Sequence, residues 1–167
     1  MANNCNCSIS FKGKDTGKIK TMIAEAIEVN NTKYEGWLPN TMDKSKLDYE
    51  HYLFDIEIIS ETEDELQIQC WTKWSPPTKE LEQICSEANV SCTCWYDEPG
   101  MGIYGQSFYD VSTGYTTDIS LDETELGRVI YDDETEQYLH DGKPIESDYV
   151  AYQEMLDEKI LNANIGF

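Results

Sequence analysis

Phe54-Asp55-Ile56-Glu57-Ile58 and Leu66-Gln67-Ile68-Gln69-Cys70, separated by the acidic run 60–64, are the stretch whose reading decides the fold. Apolar and polar residues alternate in both segments, the period of a strand with one buried face. The short polar gap between them makes the pair a β-hairpin. Ser75-Pro76-Pro77 follows and reads as an N-cap with Pro in the first helical turn. Leu81, Ile84, Cys85 and Ala88 then recur at helical spacing until Asn89 closes the helix. Val90, Cys92, Cys94 and Tyr96 alternate with Ser91, Thr93 and Trp95 and read as another strand.

Upstream, Cys5, Cys7, Ile9 and Phe11 alternate with polar residues until Lys12-Gly13-Lys14, and predict a strand. Ile19, Met22, Ile23, Ala26 and Ile27 follow the stripe of an amphipathic helix that Asn30-Asn31 ends. Residues 31–51 read as an irregular loop with Trp37, Leu38 and Pro39 as its anchor. The order is thus β-α-β-β-α-β, the split β-α-β or ferredoxin-like arrangement, an α+β fold with an antiparallel sheet. In it the first and fourth strands are neighbours and both helices cover one face. Downstream, 103–111 and 115–121 are strand candidates. Residues 128–131 and 137–140 form a hairpin around 132–136, Asp141-Gly142 is a turn, and Ser147 caps a final helix carrying Tyr152, Met155, Leu156 and Ile160. The expected division is a ferredoxin-like core at 1–115 and an acidic extension at 116–167, a β-hairpin plus a helix packed on that core.

Three segments carry a resemblance. Trp74-Ser75-Pro76-Pro77 stands at a strand-to-helix junction. Glu98-Pro99-Gly100-Met101-Gly102 follows the next strand, with Gly105 beyond, and the chain opens Met1-Ala2-Asn3. Together they resemble the YubB-type ferredoxin-like domain family of plasmid and phage proteins over residues 1–115. The chain departs from the family's pattern at Asn4-Cys5, where an aromatic is expected, and at Cys70-Trp71-Thr72-Lys73-Trp74, where the family has Trp-Gly-Thr-Lys-Trp. The resemblance implies the fold and a mobile-element origin. It implies no chemistry.

Charge narrows the function. The 167 residues hold 12 Lys and Arg against 33 Asp and Glu, a net of −21. Direct nucleic-acid binding needs cations that displace counterions from phosphates, and is excluded. Anionic membrane surfaces are disfavoured for the same reason. No apolar run approaches the ~18 residues of a membrane span. The N-terminus lacks the basic and apolar regions of a signal peptide, so a cytoplasmic location is expected, in a host cell if the protein is phage-encoded. The acidic excess falls almost wholly after residue 40.

No catalytic constellation emerges. Gly100-Met101-Gly102-Ile103-Tyr104-Gly105 is a literal G-x-G-x-x-G, but a dinucleotide site needs a helix after it, and 103–111 reads as a strand. A bulged turn within a sheet is the expected structure. His51 and His140 sit in no metalloprotease motif, and the sequence around Ser107 fails the nucleophile elbow. Cys5/Cys7 and Cys92/Cys94 lie on strands expected to be adjacent, but i, i+2 positions stand ~7 Å apart on one face, where Ile9 and Phe11 also point, so the thiols read as core filling. The run beginning at Asp122 has Gly127 where an EF-hand needs its glycine, but Leu126 occupies a ligand position. A lone Glu98 has no visible partner for acid–base work. No metal and no cofactor is expected.

What remains is the acidic surface. A rigid display of carboxylates can present a field like that of duplex DNA, with one charge per ~1.7 Å of axis, to a basic groove. The expected partner-binding acids are Glu61, Glu63, Asp64 and Glu65, then Asp122, Glu123 and Glu125, then Asp132, Asp133, Glu134 and Glu136. A second candidate surface, aromatic or pocket-like, comprises Trp71, Trp74, Trp95, Glu98, Met101 and Tyr104. Trp71, Trp95 and Tyr109 are placed on the sheet face away from the helices, where the C-terminal elements are expected to cover them. The expected function is a non-enzymatic inhibitor that obstructs a basic, nucleic-acid-handling or defence protein of a host. The alternatives are a small-ligand or nucleotide-binding protein, which could be an enzyme, with a pocket near Trp74, Glu98 and Met101, and acidity that serves solubility alone.

Overall fold

A computed structural model describes residues 4–30, 45 and 53–163, with backbone alone for 25–30. The expected loop anchor at Trp37–Pro39, His51 and the opening Met1-Ala2-Asn3 lie outside the described residues. The chain folds as β1 (Asn4–Lys12), α1 (Thr16–Asn30), β2 (Phe54–Glu61), β3 (Glu65–Lys73), α2 (Thr78–Ala88), β4 (Ser91–Glu98), β5 (Ile103–Asp110) and β6 (Tyr115–Ser120). Then come α3 (Glu123–Leu126), β7 (Val129–Asp132), β8 (Gln137–His140), β9 (Lys143–Ile145) and α4 (Asp148–Asn162).

The first six strands form one antiparallel sheet in the order β2-β3-β1-β4-β5-β6. Its first four strands have the ferredoxin-like order. Cys7 faces Cys70 across β1–β3, and Ile9 faces Cys94 across β1–β4, so alternate residues of the central strands share one face. That face carries Cys5, Cys7, Ile9, Phe11, Leu66, Ile68, Cys70, Cys92, Cys94 and Tyr96. It packs against Ile19 and Ile23 of α1 and Leu81, Ile84, Cys85 and Ala88 of α2. Burying one Ile, Leu or Phe side chain there contributes about 1.5–3 kcal/mol before entropy.

Among the described residues the opposite face is covered only in part. Over β4, β5 and β6, the alternate residues Trp95, Tyr104 and Ile119 enter a second core with Val129, Ala151, Met155, Leu156 and Ile160. α4 and the small sheet β7-β8-β9 supply this cover. Over β1 and β3 the face is mostly polar, with Asn6, Ser8, Ser10, Gln67 and Gln69, and Trp71, expected to be covered by the C-terminal elements, stays exposed on it outside the second core. Gln69 Nε2 donates to Asn6 Oδ1 at 3.1 Å, and Asn6 Nδ2 donates to Asp97 Oδ1 at 2.9 Å. The C-terminal elements therefore cover half of the face.

Several expectations are corrected. α2 begins at Thr78 behind Pro77, without a side-chain cap. Ser75 and Pro76 each precede a proline, which disfavours helical backbone, and the Ser75 carbonyl instead accepts the Thr72 hydroxyl at 2.7 Å. Tyr109 opposes Cys92 and so packs on the helix-covered core, not away from it. α3 and β9 were not read from the sequence. The division placed at residue 115 meets the first residue of β6, a strand bonded to β5 in the main sheet.

Candidate functional surface

The three acidic runs are hydrogen-bonded turns and caps. At the β2–β3 turn, Thr62 N–H donates to the Glu65 carbonyl at 2.8 Å and Glu65 N–H donates to Thr62 Oγ1 at 3.1 Å. The Glu65 carboxylate accepts the Ser10 hydroxyl at 2.7 Å and the Gln67 amide at 3.1 Å, and these hold it below the usual carboxylate range. Asp122 caps α3 reciprocally. Its Oδ1 accepts Thr124 N–H and Glu125 N–H, each at 2.9 Å, while Asp122 N–H donates to Glu125 Oε2 at 2.8 Å. The backbone N–H groups push the Asp122 carboxyl down. At the β7–β8 turn, Asp132 accepts the Thr135 hydroxyl at 2.8 Å and Glu134 N–H at 3.0 Å, which likewise lower it. Such bonds favour the charged form.

The structure does not bring these runs together. Glu61, Glu63, Asp64 and Glu65 lie at the end of the sheet where Lys12 opposes Glu65 and Ser91. Asp122, Glu123 and Glu125 follow Ser120, at the opposite end and beside the other edge strand. Six strands at ~4.8 Å spacing separate those edges by about 24 Å. Asp132, Asp133, Glu134 and Glu136 sit at a turn of the small sheet.

A different acidic grouping forms instead. Lys159 of α4 donates to Glu125 Oε2 at 2.6 Å and to the Ser120 carbonyl at 2.8 Å, which fastens α3 to α4. Arg128 pairs with Asp141, with Nε donating at 3.1 Å, and also faces Glu158 and Glu125. Glu154, Asp157 and Glu158 share the exposed side of α4, opposite Ala151, Met155 and Leu156. The patch thus combines Asp122, Glu123 and Glu125 with Glu158 and its helical neighbours. Sequence reasoning missed the α4 members, because an acidic outer side is what any surface helix shows.

The aromatic candidates separate into exposed and buried groups. Trp74 is 54 % exposed, Met101 53 % and Trp71 37 %. Trp95 is half-buried, its ring 5.3 Å from that of Tyr149. Tyr104, expected on an accessible surface, is only 6 % exposed and lies 4.3 Å from the Tyr152 ring beneath α4. Glu98 is only 4 % exposed, and its carboxylate accepts Met101 N–H across the turn 99–101. That bond occupies the backbone donor a phosphate would need.

The glycine-rich segment is a 3-10 turn between β4 and β5, not a bulge within the sheet. Gly102 takes a φ of 64° as its C-cap. Gly105 leaves room for the Tyr96 side chain, which crosses β5. A Cβ at residue 105 would stand 2.3 Å from Tyr96 Oη and 2.7 Å from the Ile119 carbonyl oxygen. The crossing lets Tyr96 Oη donate to Asp118 Oδ1 at 2.6 Å. Burial raises both groups, and the bond raises Tyr96 further while lowering Asp118.

All six cysteines are buried as free thiols in the first core, and burial and mutual contact push Cys5, Cys85 and Cys94 up. Among the described residues no three His, Cys, Asp or Glu side chains converge as metal ligands, and no helix is long and apolar enough to cross a membrane. An α+β core with a six-stranded antiparallel sheet, a second small sheet and a closing helix thus carries dispersed, hydrogen-bonded carboxylates. A family model described as the ferredoxin-like domain in Api92-like protein matches residues 53–141, more than half of the chain, and the chain belongs to that family. The match runs through β2 to β8 and crosses residue 115. No curated protein and no solved structure matches the chain.

Proposed function

We propose that this chain is a non-enzymatic acidic binding protein that occupies a basic surface of a nucleic-acid-handling or defence protein and obstructs it. The plasmid and phage setting implied by the YubB-type resemblance supplies the context, with the host cytoplasm as the place of action. One observation carries the reading. Lys12, Lys20, Arg128 and Lys159 already pair with carboxylates of this chain, and a net charge of −21 remains, part of it on carboxylates hydrogen-bonded within caps and turns. Charge held in place needs little ordering on binding, and it steers a cationic partner into register. The carboxylates at the two ends of the main sheet favour a partner with an extended basic groove over one with a compact site. A pocket at Trp74, Glu98 and Met101 lacks comparable support, since Glu98 is engaged in its own turn.

The test is capture from a bacterial lysate on immobilised protein, followed by competition with duplex DNA for each captured partner. A partner released both by DNA and by raised salt is expected. Failure to capture any partner at low salt overturns the reading. So does a partner held undiminished by a variant with Glu125, Glu154, Asp157 and Glu158 replaced by Gln and Asn.

A further inference from the structure

The main sheet ends in two edges of opposite character. β2 is irregular. Its register against β3 breaks between Phe54 and Glu57 and again between Ile58 and Ser60. Asp55 has a φ of 49°, and Asp55, Glu57 and Glu61 place charge along the strand. Bulges and charges of this kind keep an edge from pairing with a foreign chain. β6 has neither defence. It pairs with β5 in unbroken register from Tyr115 to Ser120, and Tyr115, Thr116, Thr117 and Ile119 all favour extended backbone. Its one charge, Asp118, is engaged by the Tyr96 hydroxyl.

Register settles which backbone groups are free. Leu121 N–H donates to the Tyr104 carbonyl at 2.9 Å. In an antiparallel ladder bonded residues recur every second position, so Ile119, Thr117 and Tyr115 also turn their N–H and C=O toward β5. Thr116, Asp118 and Ser120 turn theirs outward, and the bond from Lys159 Nζ to the Ser120 carbonyl is made on that outer side. Among the described residues no strand pairs with β6 there. Carboxylates stand at both ends of this edge. Asp110 precedes it, held by the Ser112 hydroxyl at 2.8 Å, Ser112 N–H at 2.9 Å and the Thr113 hydroxyl at 2.8 Å, and Asp122 and Glu123 follow it. Those bonds hold Asp110 and Asp122 below the usual carboxylate range, so both are charged at neutral pH.

We propose that the outer edge of β6 is a docking strand, which takes an extended Lys- or Arg-bearing segment of the partner protein as a seventh strand of the sheet. The segment pairs with both backbone groups of Thr116 and Asp118 and with the N–H of Ser120, and its cations meet Asp110 at one end and Asp122 and Glu123 at the other. Backbone pairing gives such addition its affinity, and the flanking charges select the segment. A second copy of this chain is disfavoured as occupant. Antiparallel pairing of β6 with itself sets Asp110 of one copy near Asp122 and Glu123 of the other, between molecules that each carry −21. This inference rests on reading the chain as a binder of cationic proteins, and it names the element that binds.

The test uses the full chain, isotope-labelled, with a synthetic peptide of alternating Lys and Val as probe, in about 50 mM salt. Amide exchange at Thr116, Asp118 and Ser120 is expected to slow by about tenfold or more on saturation. Thr116→Pro removes an outward N–H and leaves the donors of the β5–β6 ladder in place, and it is expected to weaken the peptide by about tenfold. The wild-type exchange measurement stands even if that variant folds poorly. If the peptide binds but those amides exchange unchanged, the docking strand is wrong while the acidic-binder reading survives. If the peptide fails to bind at low salt, the acidic-binder reading loses its basis and the docking strand falls with it. Protection of the same amides in a dimer of unliganded protein overturns the cationic occupant.

Discussion

Gly105 shows how one missing side chain positions two others. Tyr96 crosses β5 above it to reach Asp118, so a methyl group at residue 105 meets the phenol ring and the Ile119 carbonyl at once. Gly105→Ala is expected to destabilise the fold by about 3 kcal/mol, the upper part of the usual overpacking range, read as a lower urea midpoint. The cysteines make a second case. All six stand in the first core, and burial disfavours the thiolate that reacts. A thiol reagent at pH 8 is expected to find no fast-reacting group in the native protein and six in denaturant. The alternation of Cys5 with Cys7 and of Cys92 with Cys94 already located these thiols on an inward face, because a strand repeats every two residues. The role of Gly105 was not legible, since nothing local announces that a tyrosine on the neighbouring strand will cross it.

At the scale of elements, α4 is the part on which the extension depends. Its buried side closes the second core over Trp95 and Tyr104, and its Lys159 fastens α3. Leu156→Ala is expected to cost about 2–5 kcal/mol in denaturant unfolding. α3 is short and rests on the capping box of Asp122 and Glu125. The Asp122 carboxyl is depressed in the folded chain, so its stabilisation is complete above the ordinary carboxylate value of about 4 and is lost as pH falls through the depressed one. Protection of the Thr124 and Glu125 amides, taken relative to the intrinsic exchange rate at each pH, is expected to fall on acidification, while Asp122→Asn, which keeps a cap without the titration, flattens that dependence. Ser147 was legible as the cap of α4, since its hydroxyl accepts Val150 N–H at 3.3 Å, a contact within four residues. α3 was read as an acidic run because four helical residues show no periodicity.

The whole molecule carries its charge unevenly, but along different lines from those its sequence suggests. Glu154, Asp157 and Glu158 repel one another and the α3 carboxylates, with Arg128 and Lys159 close by. Replacing the three by Gln and Asn is expected to raise the thermal midpoint at low ionic strength, with the gain vanishing toward 1 M salt, where the screening length is about 3 Å. The same variant reports on function, since it weakens any partner held by this patch. Among the described residues the main sheet is half covered on its second face and unpaired at β6, so beside the α3–α4 patch a partner can meet the face over β1 and β3 and that edge.

Periodicities of two and 3.6 and the helix-ending and turn residues determined the β-α-β-β-α-β core, the later hairpin and the last helix from the sequence alone, because each signal is complete within a few neighbouring residues. The net charge was equally legible, and with it the expectation that nucleic acid is not bound directly. Tertiary structure alone decided that Tyr109 faces inward, that Tyr96 meets Asp118 across Gly105, that the three acidic runs stand apart, and that α3 and α4 join their carboxylates instead. Those outcomes depend on strand register and on contacts between residues far apart in the chain. Solvent-exposed carboxylates leave no periodic trace from which their final neighbours can be read.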